Sequence, residues 1–274
     1  MFKNLVLISF ISLPLASENL LDIYNEALDN DPQYKSSEYS LLAGKEFVVQ
    51  GRAGLLPNVT LSGSTNWNEY YQFDELQSAY NNNSVTARLT QPLFRLDSWF
   101  NFRRSKKLTD ASEADFAYAQ QNLIIRTVEK YFGVLRAIDN LNAAVSEEKA
   151  IKKQLDQIQQ RFEVGLSAIT EVQEAQLAYD LSVAAKIRSE GALFNAREEL
   201  NSLIGREIFS IDSLKADIVP ENPNPTTKQE WVDIALKNNY RLQASVLRRD
   251  ASQDSARSSA SEHLPKINIV GTES

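Results

Sequence analysis

The sequence predicts a mainly helical fold with a small β-element: long antiparallel coiled-coil helical hairpins joined to a β-hairpin long enough to cross a membrane. Three observations predict it. Nine Gly and eight Pro in 274 residues are about 6%, against a usual ~12%, so little interrupts a helix. No proline occurs between Ser98 and Pro220, where apolar residues step by threes and fours. Upstream of Ser98, two runs alternate apolar with small polar residues, the period of a strand.

Residues 1–17, MFKNLVLISFISLPLAS, read as a secretory signal peptide: Lys3, an apolar run from Leu5 to Leu15, and a cleavage site at Leu15-Ala16-Ser17. A short buried helix is the alternative, and the abrupt polar switch at Glu18 favours export. No later stretch approaches the eighteen or so apolar residues of a spanning helix, so an exported chain that enters a membrane must do so as β-strands.

Residues 18–57 hold the first helices. Leu21, Tyr24 and Leu28 have helical spacing, Asp29-Asn30-Asp31-Pro32 breaks the run, and a second helix follows over 32–53 until Pro57 ends it. Residues 58–97 form the β-hairpin. Val59, Leu61, Gly63, Thr65 and Trp67 alternate with Thr60, Ser62, Ser64, Asn66 and Asn68, and a second run follows at Val85, Ala87 and Leu89. The polar stretch from Gln72 to Ser84 reads as a solvent loop between them. Thirteen residues from Val59 to Tyr71 reach about 43 Å, enough to cross an outer membrane at a tilt; an ordinary soluble hairpin is the alternative.

Residues 98–204 form the helical hairpin. Ser98 can cap a helix whose seam reads Val128, Tyr131, Leu135, Ile138, Asn142 and Val145, then Ile151, Leu155, Ile158 and Phe162. Continued to Val164, it is roughly 100 Å long. Gly165 marks the tip, and the pattern resumes through Ile169, Val172, Gln176, Tyr179, Val183, Ile187 and Phe194 until Gly205. The returning helix is too short to line its partner, and the helix over 32–53 makes up the difference. Residues 205–228, with Pro220, Pro223 and Pro225, form a connecting strap with short strands at Ile208 to Ile211.

Residues 229–274 open a second copy of the unit. Ala27-Leu28 returns as Ala235-Leu236, Asn30 as Asn238, Ala43 as Ala251, Leu56-Pro57 as Leu264-Pro265 and Gly63 as Gly271, all at an offset of 208. We expect one full unit plus the opening of another, hence a fragment or truncated product. A lone hairpin in lipid would leave unsatisfied backbone edges, so further strands must come from other chains. Trp99, Phe100 and Phe102 suit an interfacial girdle, with Arg103, Arg104, Lys106 and Lys107 on the aqueous side; a plain amphipathic helix start explains them equally well.

The repeat with its Leu-Pro strand entries, Glu18-Asn19-Leu20, Tyr131-Phe132, Ala137-Ile138-Asp139, and above all 154–156 and 161–172 (QLD and RFEVGLSAITEV) closely resemble TolC-type outer-membrane efflux and secretion channels. The resemblance runs from Glu18 to Ser274 and covers the first half of a two-repeat design. It implies a homotrimeric conduit: a twelve-stranded barrel in outer-membrane lipid, then a helical periplasmic tunnel docked to a periplasmic adaptor and an inner-membrane pump, exporting drugs or, in type I secretion, proteins. Residue by residue, it implies that Arg161, Val164, Gly165, Leu166 and Ser167 meet the adaptor and that Thr170 and Glu171 belong to the periplasmic gate. Glu171 replaces the Asp of the family's best-known member. The gate's partner Arg and Tyr and the carboxylate ring belong to the second half. Without the resemblance, Ser167-x-x-Thr170 and Glu171 are ordinary features of a helix start.

Composition limits the other classes. A net charge of −7 disfavours nucleic-acid binding, while a single His263 and no Cys leave no Cys/His zinc cage, thiol nucleophile or ordinary triad. No cofactor or metal is expected. Glu147, Glu148, Glu198 and Glu199 follow helix-surface patterns and not the paired cleft of a glycosidase. A coiled-coil periplasmic adaptor or structural protein and a non-functional channel fragment stay as alternatives; an adaptor would flank its hairpin with a compact β-domain.

Overall fold

A computed structural model of the chain describes residues 18–208, 210–214 and 222–273. The expected signal peptide lies outside them, as do residues 209 and 215–221 of the connector. The elements are α1 (Leu20–Asn30), α2 (Pro32–Ala53), β1 (Asn58–Gln72), β2 (Glu75–Phe94), α3 (Leu96–Glu163), α4 (Ile169–Ile204), α5 (Lys228–Asn238), α6 (Tyr240–Ser261) and β3 (Ile267–Glu273). None of the described helices is long and apolar enough to cross a membrane. The chain divides into two compact units, 1–35 with 120–223 and 36–119 with 224–274; α2 and α3 run from one into the other.

The offset of 208 is visible in the backbone. α5 starts 208 residues after α1 and has the same 11-residue length, and α6 starts 208 after α2 with the same 22. Capping repeats as well: Asn19 and Thr227 cap the first helix of each copy. The Asp31 carboxylate accepts from the Tyr34 amide at 3.0 Å, and Asn239 accepts from Leu242 at 3.0 Å.

In the first unit, Ile23 and Ala27 of α1 pack with Leu123, Tyr131, Val134, Leu135 and Ala137 of α3 and Leu193, Leu200, Leu203 and Ile204 of α4. Arg126 pairs with the buried carboxylate of Asp31, whose side chain is 4% exposed. Arg206 holds Glu26 at 2.5 Å and Glu18 at 2.9 Å, and these two carboxylates push its guanidinium pKa up. The strap after α4 makes one parallel bridge, Glu18 to Ile211, and the Tyr131 hydroxyl donates to the Asp212 carbonyl at 2.9 Å. Burial raises the Tyr131 pKa, and the nearby Asp212 charge raises it further.

Most of the expected α3 seam is covered (Val128, Tyr131, Leu135, Ile138, Ile151, Leu155 and Ile158), while Phe162 is exposed and other positions differ from the expectation by one helical position. On α3, Leu141 and Ala144 turn inward while Asn142 and Val145 are exposed. On α4 Val172, Ala175, Tyr179, Ser182, Lys186, Ser189, Leu193, Ala196, Leu200 and Leu203 form a buried and half-buried heptad seam, small and polar near the tip and leucine-rich farther along, with Val183, Ala184, Ala185, Asn201 and Ile204 covered beside it; Val172, Tyr179 and Val183 are where the spacing placed them. Ile187 and Phe194, expected inside, are exposed together with Leu177 and Leu181. Two apolar stripes lie on this helix, and hydrophobic spacing cannot say which of them the chain itself covers.

In the second unit, β1, β2 and β3 form an antiparallel sheet in that order. The Gln72–Ser84 loop expected from the sequence is not a loop. β2 begins at Glu75, and Asn81, Asn82 and Asn83 pair with Trp67, Asn66 and Thr65. The turn is only Phe73-Asp74, both at positive φ (50° and 68°), the geometry of a two-residue hairpin connection. Polar composition suggested a loop, but the same residues satisfy one another across the ladder: Thr65 Oγ1 donates to Asn81 Oδ1 at 2.8 Å and to Asn83 Oδ1 at 2.6 Å.

The long helix begins at Leu96, two residues before the expected Ser98 cap. Asp97 fixes this start: its carboxylate takes Arg95 at 2.6 Å and Lys266 at 3.4 Å, and its carbonyl accepts from Ser258 Oγ at 2.8 Å. The Arg95 guanidinium holds its carboxyl well below the usual range. α2 lies against α3 through Gly44 and Gly51, where an added Cβ would collide with Ser112 and Ser105, and Thr109 Oγ1 donates to the Gly44 carbonyl at 2.9 Å. α6 lies against α3 through Ala251, Asp254 and Ser258, with Arg103 at 3.6 Å from Asp254 and Arg248 paired to Asp115. Position 44 corresponds to 252, so the homologous helices meet α3 with different faces.

Candidate functional site

Three places carry the residues singled out by sequence: the turn between α3 and α4, the start of α3, and the two faces of the sheet. At the turn, Gly165 adopts φ 78°. Its amide donates to the Phe162 carbonyl at 2.9 Å, and the Leu166 amide donates to Arg161 at 2.8 Å. These two bonds make a Schellman ending, which needs a left-handed residue after the last turn; hence Gly. The motif leaves Val164 and Leu166 each 70% exposed, a pair of apolar side chains at the extremity of a helical hairpin.

Thr170 and Glu171 occupy the first turn of α4, both exposed. Ser167 is not the N-cap. Ala168 takes that place without a side-chain bond, while the Ser167 hydroxyl donates to the Glu171 carboxylate. Five residues assigned to the tip and two assigned to the gate thus lie within one turn and its flanks. Arg161 contributes its carbonyl to the turn and has an exposed side chain.

Trp99, Phe100 and Phe102 are grouped at the start of α3. The Trp99 and Phe102 rings are 5.9 Å apart at 44°, and the Arg103 guanidinium stands 5.9 Å over the Phe100 ring. The sequence reading missed a second aromatic group on β1. Trp67 Nε1 donates to Glu69 at 3.0 Å and the Tyr71 hydroxyl to the same carboxylate at 2.7 Å. Spacing of i, i+2 and i+4 on an alternating strand was the available signal.

Near its helix end the register divides the sheet into an apolar and a polar face, whereas toward the turn the first face also carries Thr65, Asn81, Asn83 and Glu69. One face carries Val59, Leu61, Val85, Leu89 and Ile269, all of them exposed. The other carries Asn58, Thr60, Ser62, Ser64, Asn66 and Asn68 of β1, Ser84, Thr86, Arg88 and Thr90 of β2, and Asn268 and Thr272 of β3. Ser64 and Ser84 hydroxyls share a hydrogen bond of 2.8 Å across the first pair. Among the described residues no group of three or more His, Cys, Asp or Glu could hold a metal ion. Glu148, a residue weighed as part of a carboxylate pair, is bound to Lys186 at 3.1 Å.

A family model described as outer membrane efflux protein matches residues 23–206, more than half of the chain. Outer membrane protein TolC of Vibrio cholerae is 33% identical over 261 residues, 95% of this chain and 59% of that protein. Outer membrane protein TolC of Escherichia coli is 31% identical over 274 residues, 98% of this chain and 54% of that protein. In fold, the chain is similar to the crystal structure of the Campylobacter jejuni CmeC outer membrane channel, with a TM-score of 0.78, 19% identity, and coverage of 94% of this chain and 56% of that one. The chain thus spans a little over half the length of the relatives it matches. The chain belongs to the outer membrane efflux protein family, a family of helical-tunnel fold, and its place is the outer membrane.

Proposed function

We propose that the chain supplies part of a passive outer-membrane conduit, the exit channel of a tripartite efflux pump or a type I secretion system, assembled as a homotrimer and driven by a periplasmic adaptor and an inner-membrane pump. The observation that carries this reading is the sheet: one face with exposed Val59, Leu61, Val85, Leu89 and Ile269, an opposite face rich in hydroxyls, and open edges on β1 and β3. Such a surface is stable in lipid only when the edges close into a barrel, and outer-membrane barrels begin at eight strands. Three described strands therefore call for others, and further copies of the chain are the simplest source. The exposed stripe Leu177, Leu181, Ile187 and Phe194 on α4 supports the same conclusion, because a helix in a closed tunnel has a neighbour on each side.

Within this reading the exposed Val164 and Leu166, with Arg161, Gly165 and Ser167, form the tip that meets the adaptor. Thr170 and Glu171 join the gate, and Trp99, Phe100 and Phe102 sit at the membrane interface. Matches to Alkaline protease secretion protein AprF of Pseudomonas aeruginosa (28% identical) and Proteases secretion protein PrtF of Dickeya chrysanthemi (25%) support a secretion role beside efflux. The channel performs no chemistry of its own. Unheated and heated gels of outer-membrane extracts test it: a heat-sensitive trimer, together with drug sensitivity or lost secretion on deletion, is the expected result. A soluble monomer would sink the proposal.

A further inference from the structure

We propose that Arg88 is the charge-selective station of the passage, a cationic site that favours anionic, carboxylate- or phosphate-bearing solutes. The inference rests on the conduit reading above and concerns the face of the sheet that a barrel turns inward. On that face, from the helix end of the sheet as far as the Tyr70–Ser78 pair, the described residues are Asn, Ser, Thr, Tyr, Pro and Val with one exception, Arg88; the face's one described carboxylate, Glu75, lies beside the Phe73-Asp74 turn, thirteen residues away along β2. It lies on the central strand, directly opposite Thr60 of β1 and Thr272 of β3, between Thr86 and Thr90. Its guanidinium is exposed and takes part in none of the ion pairs among the described residues. The nearest carboxylate in register, Glu273, pairs with Ala87 and so points to the opposite face. Arg95 and Lys266 lie beyond the paired strands and share the Asp97 carboxylate there, so unlike Arg88 each has an anionic partner.

An unpaired arginine in a wall of hydroxyls and amides is the fixed charge a passing solute meets at this level of the sheet. In a confined pore such a charge raises the local concentration of counter-ions, and rings of Arg or Lys are how pores favour anions. The planar fork adds bidentate recognition of carboxylate and phosphate, which a lysine would not give. Repetition of the chain around a barrel turns the single residue into a ring of like charges. Because Arg88 lies six residues from the helix end of β2, solutes entering from the tunnel meet this ring before the neutral stretch of Ser62, Ser64, Asn66 and Asn82.

The test uses the assembled protein in planar bilayers under a KCl gradient, with reversal potential as the readout. Arg88→Ser is expected to lower the anion-to-cation permeability ratio about two- to threefold, Arg88→Glu to lower it further, and Arg88→Lys to keep it near the unaltered value. The chain contains no cysteine, so Arg88→Cys and Ala87→Cys report the two faces without background. A membrane-impermeant thiol reagent should modify the first and spare the second. An unchanged ratio in Arg88→Ser, or modification of Ala87→Cys with protection of Arg88→Cys, would overturn the inference while leaving the conduit intact. Unaltered protein that conducts nothing would remove the conduit reading and this inference with it.

Discussion

Ile23 of α1 and Trp231 of α5 hold equivalent places in the two copies of the repeat, 208 residues apart, yet Ile23 is 0% exposed and Trp231 is 45% exposed. The helices carrying them share length and a side-chain N-cap. What differs is their company. α1 is covered by α3 and α4 and held by Arg206, whereas α5 buries none of its residues. The comparison teaches that local sequence sets where these helices start and stop, while burial depends on which other elements reach them.

The same contrast appears at the junction to the following helix, and there it should be largest. Asp31 and Asn239 each cap the next helix, but only the buried Asp31 also takes an arginine, the half-buried Arg126. Asp31→Ala removes a cap and leaves Arg126 without its carboxylate, so a loss of about 3–5 kcal/mol is expected in urea titration. Asn239→Ala removes only a cap and should cost about 1 kcal/mol. Equal losses would mean that the Arg126 pair adds nothing to the first copy.

Core truncation gives the next largest difference. Ile23→Ala should cost about 2–4 kcal/mol, because nothing around it can fill the space without moving α3 or α4. Trp231→Ala loses mainly the indole bond to the Pro225 carbonyl at 2.6 Å, an exposed contact worth about 1 kcal/mol. Comparable losses would show α5 to be covered in the assembled protein, which would itself be informative about the neighbours it gains.

Asp97 joins the copies chemically, since Arg95 precedes it and Lys266 comes from the second copy. Its pKa is depressed in the fold, first by the Arg95 hydrogen bond, so its stabilising contribution is complete above the unfolded carboxylate value of about 3.9. As pH falls below that, the contribution is lost. Melting curves from pH 5 to 2 should show a steep decline that Asp97→Asn flattens; an unchanged slope would put the acid sensitivity elsewhere.

Much of this was legible in the sequence, for identifiable reasons. The helix breaks at Asp31-Pro32 and Gly205 were readable because caps and proline act locally. The repeat offset was readable because both copies keep the same breaks. What failed was choice of face. Ile187 and Phe194 on α4, and Asn142 and Val145 on α3, were expected in the seam and are exposed. A helix with two neighbours has two stripes, and hydrophobic periodicity weighs the larger side chains, here those left uncovered by the chain itself. Of the candidate sites, the turn at Gly165 was readable from a backbone requirement. The Trp67-Glu69-Tyr71 cluster was not, because a charged residue on an apolar strand face looks like the end of the pattern until its two donors are seen.

The hairpin turn is the last place where sequence and backbone disagree, and it yields the smallest expected effect. Asn81-Asn82-Asn83 looked like the loop, but the chain turns at Phe73-Asp74 with two residues at positive φ. Neither is glycine, and a bulky side chain in that conformation costs about 1–2 kcal/mol. Phe73 is 94% exposed, so it returns no packing energy to offset that cost. Replacing the pair by Asn-Gly, which two-residue connections of this hand favour, should therefore stabilise the hairpin by about 1 kcal/mol and raise the temperature at which the assembled form dissociates on gels. A lower dissociation temperature would mean that Phe73 is held by something outside this chain. The exposed ring would then belong to a contact made at the far end of the barrel, and the strain would be the cost of presenting it.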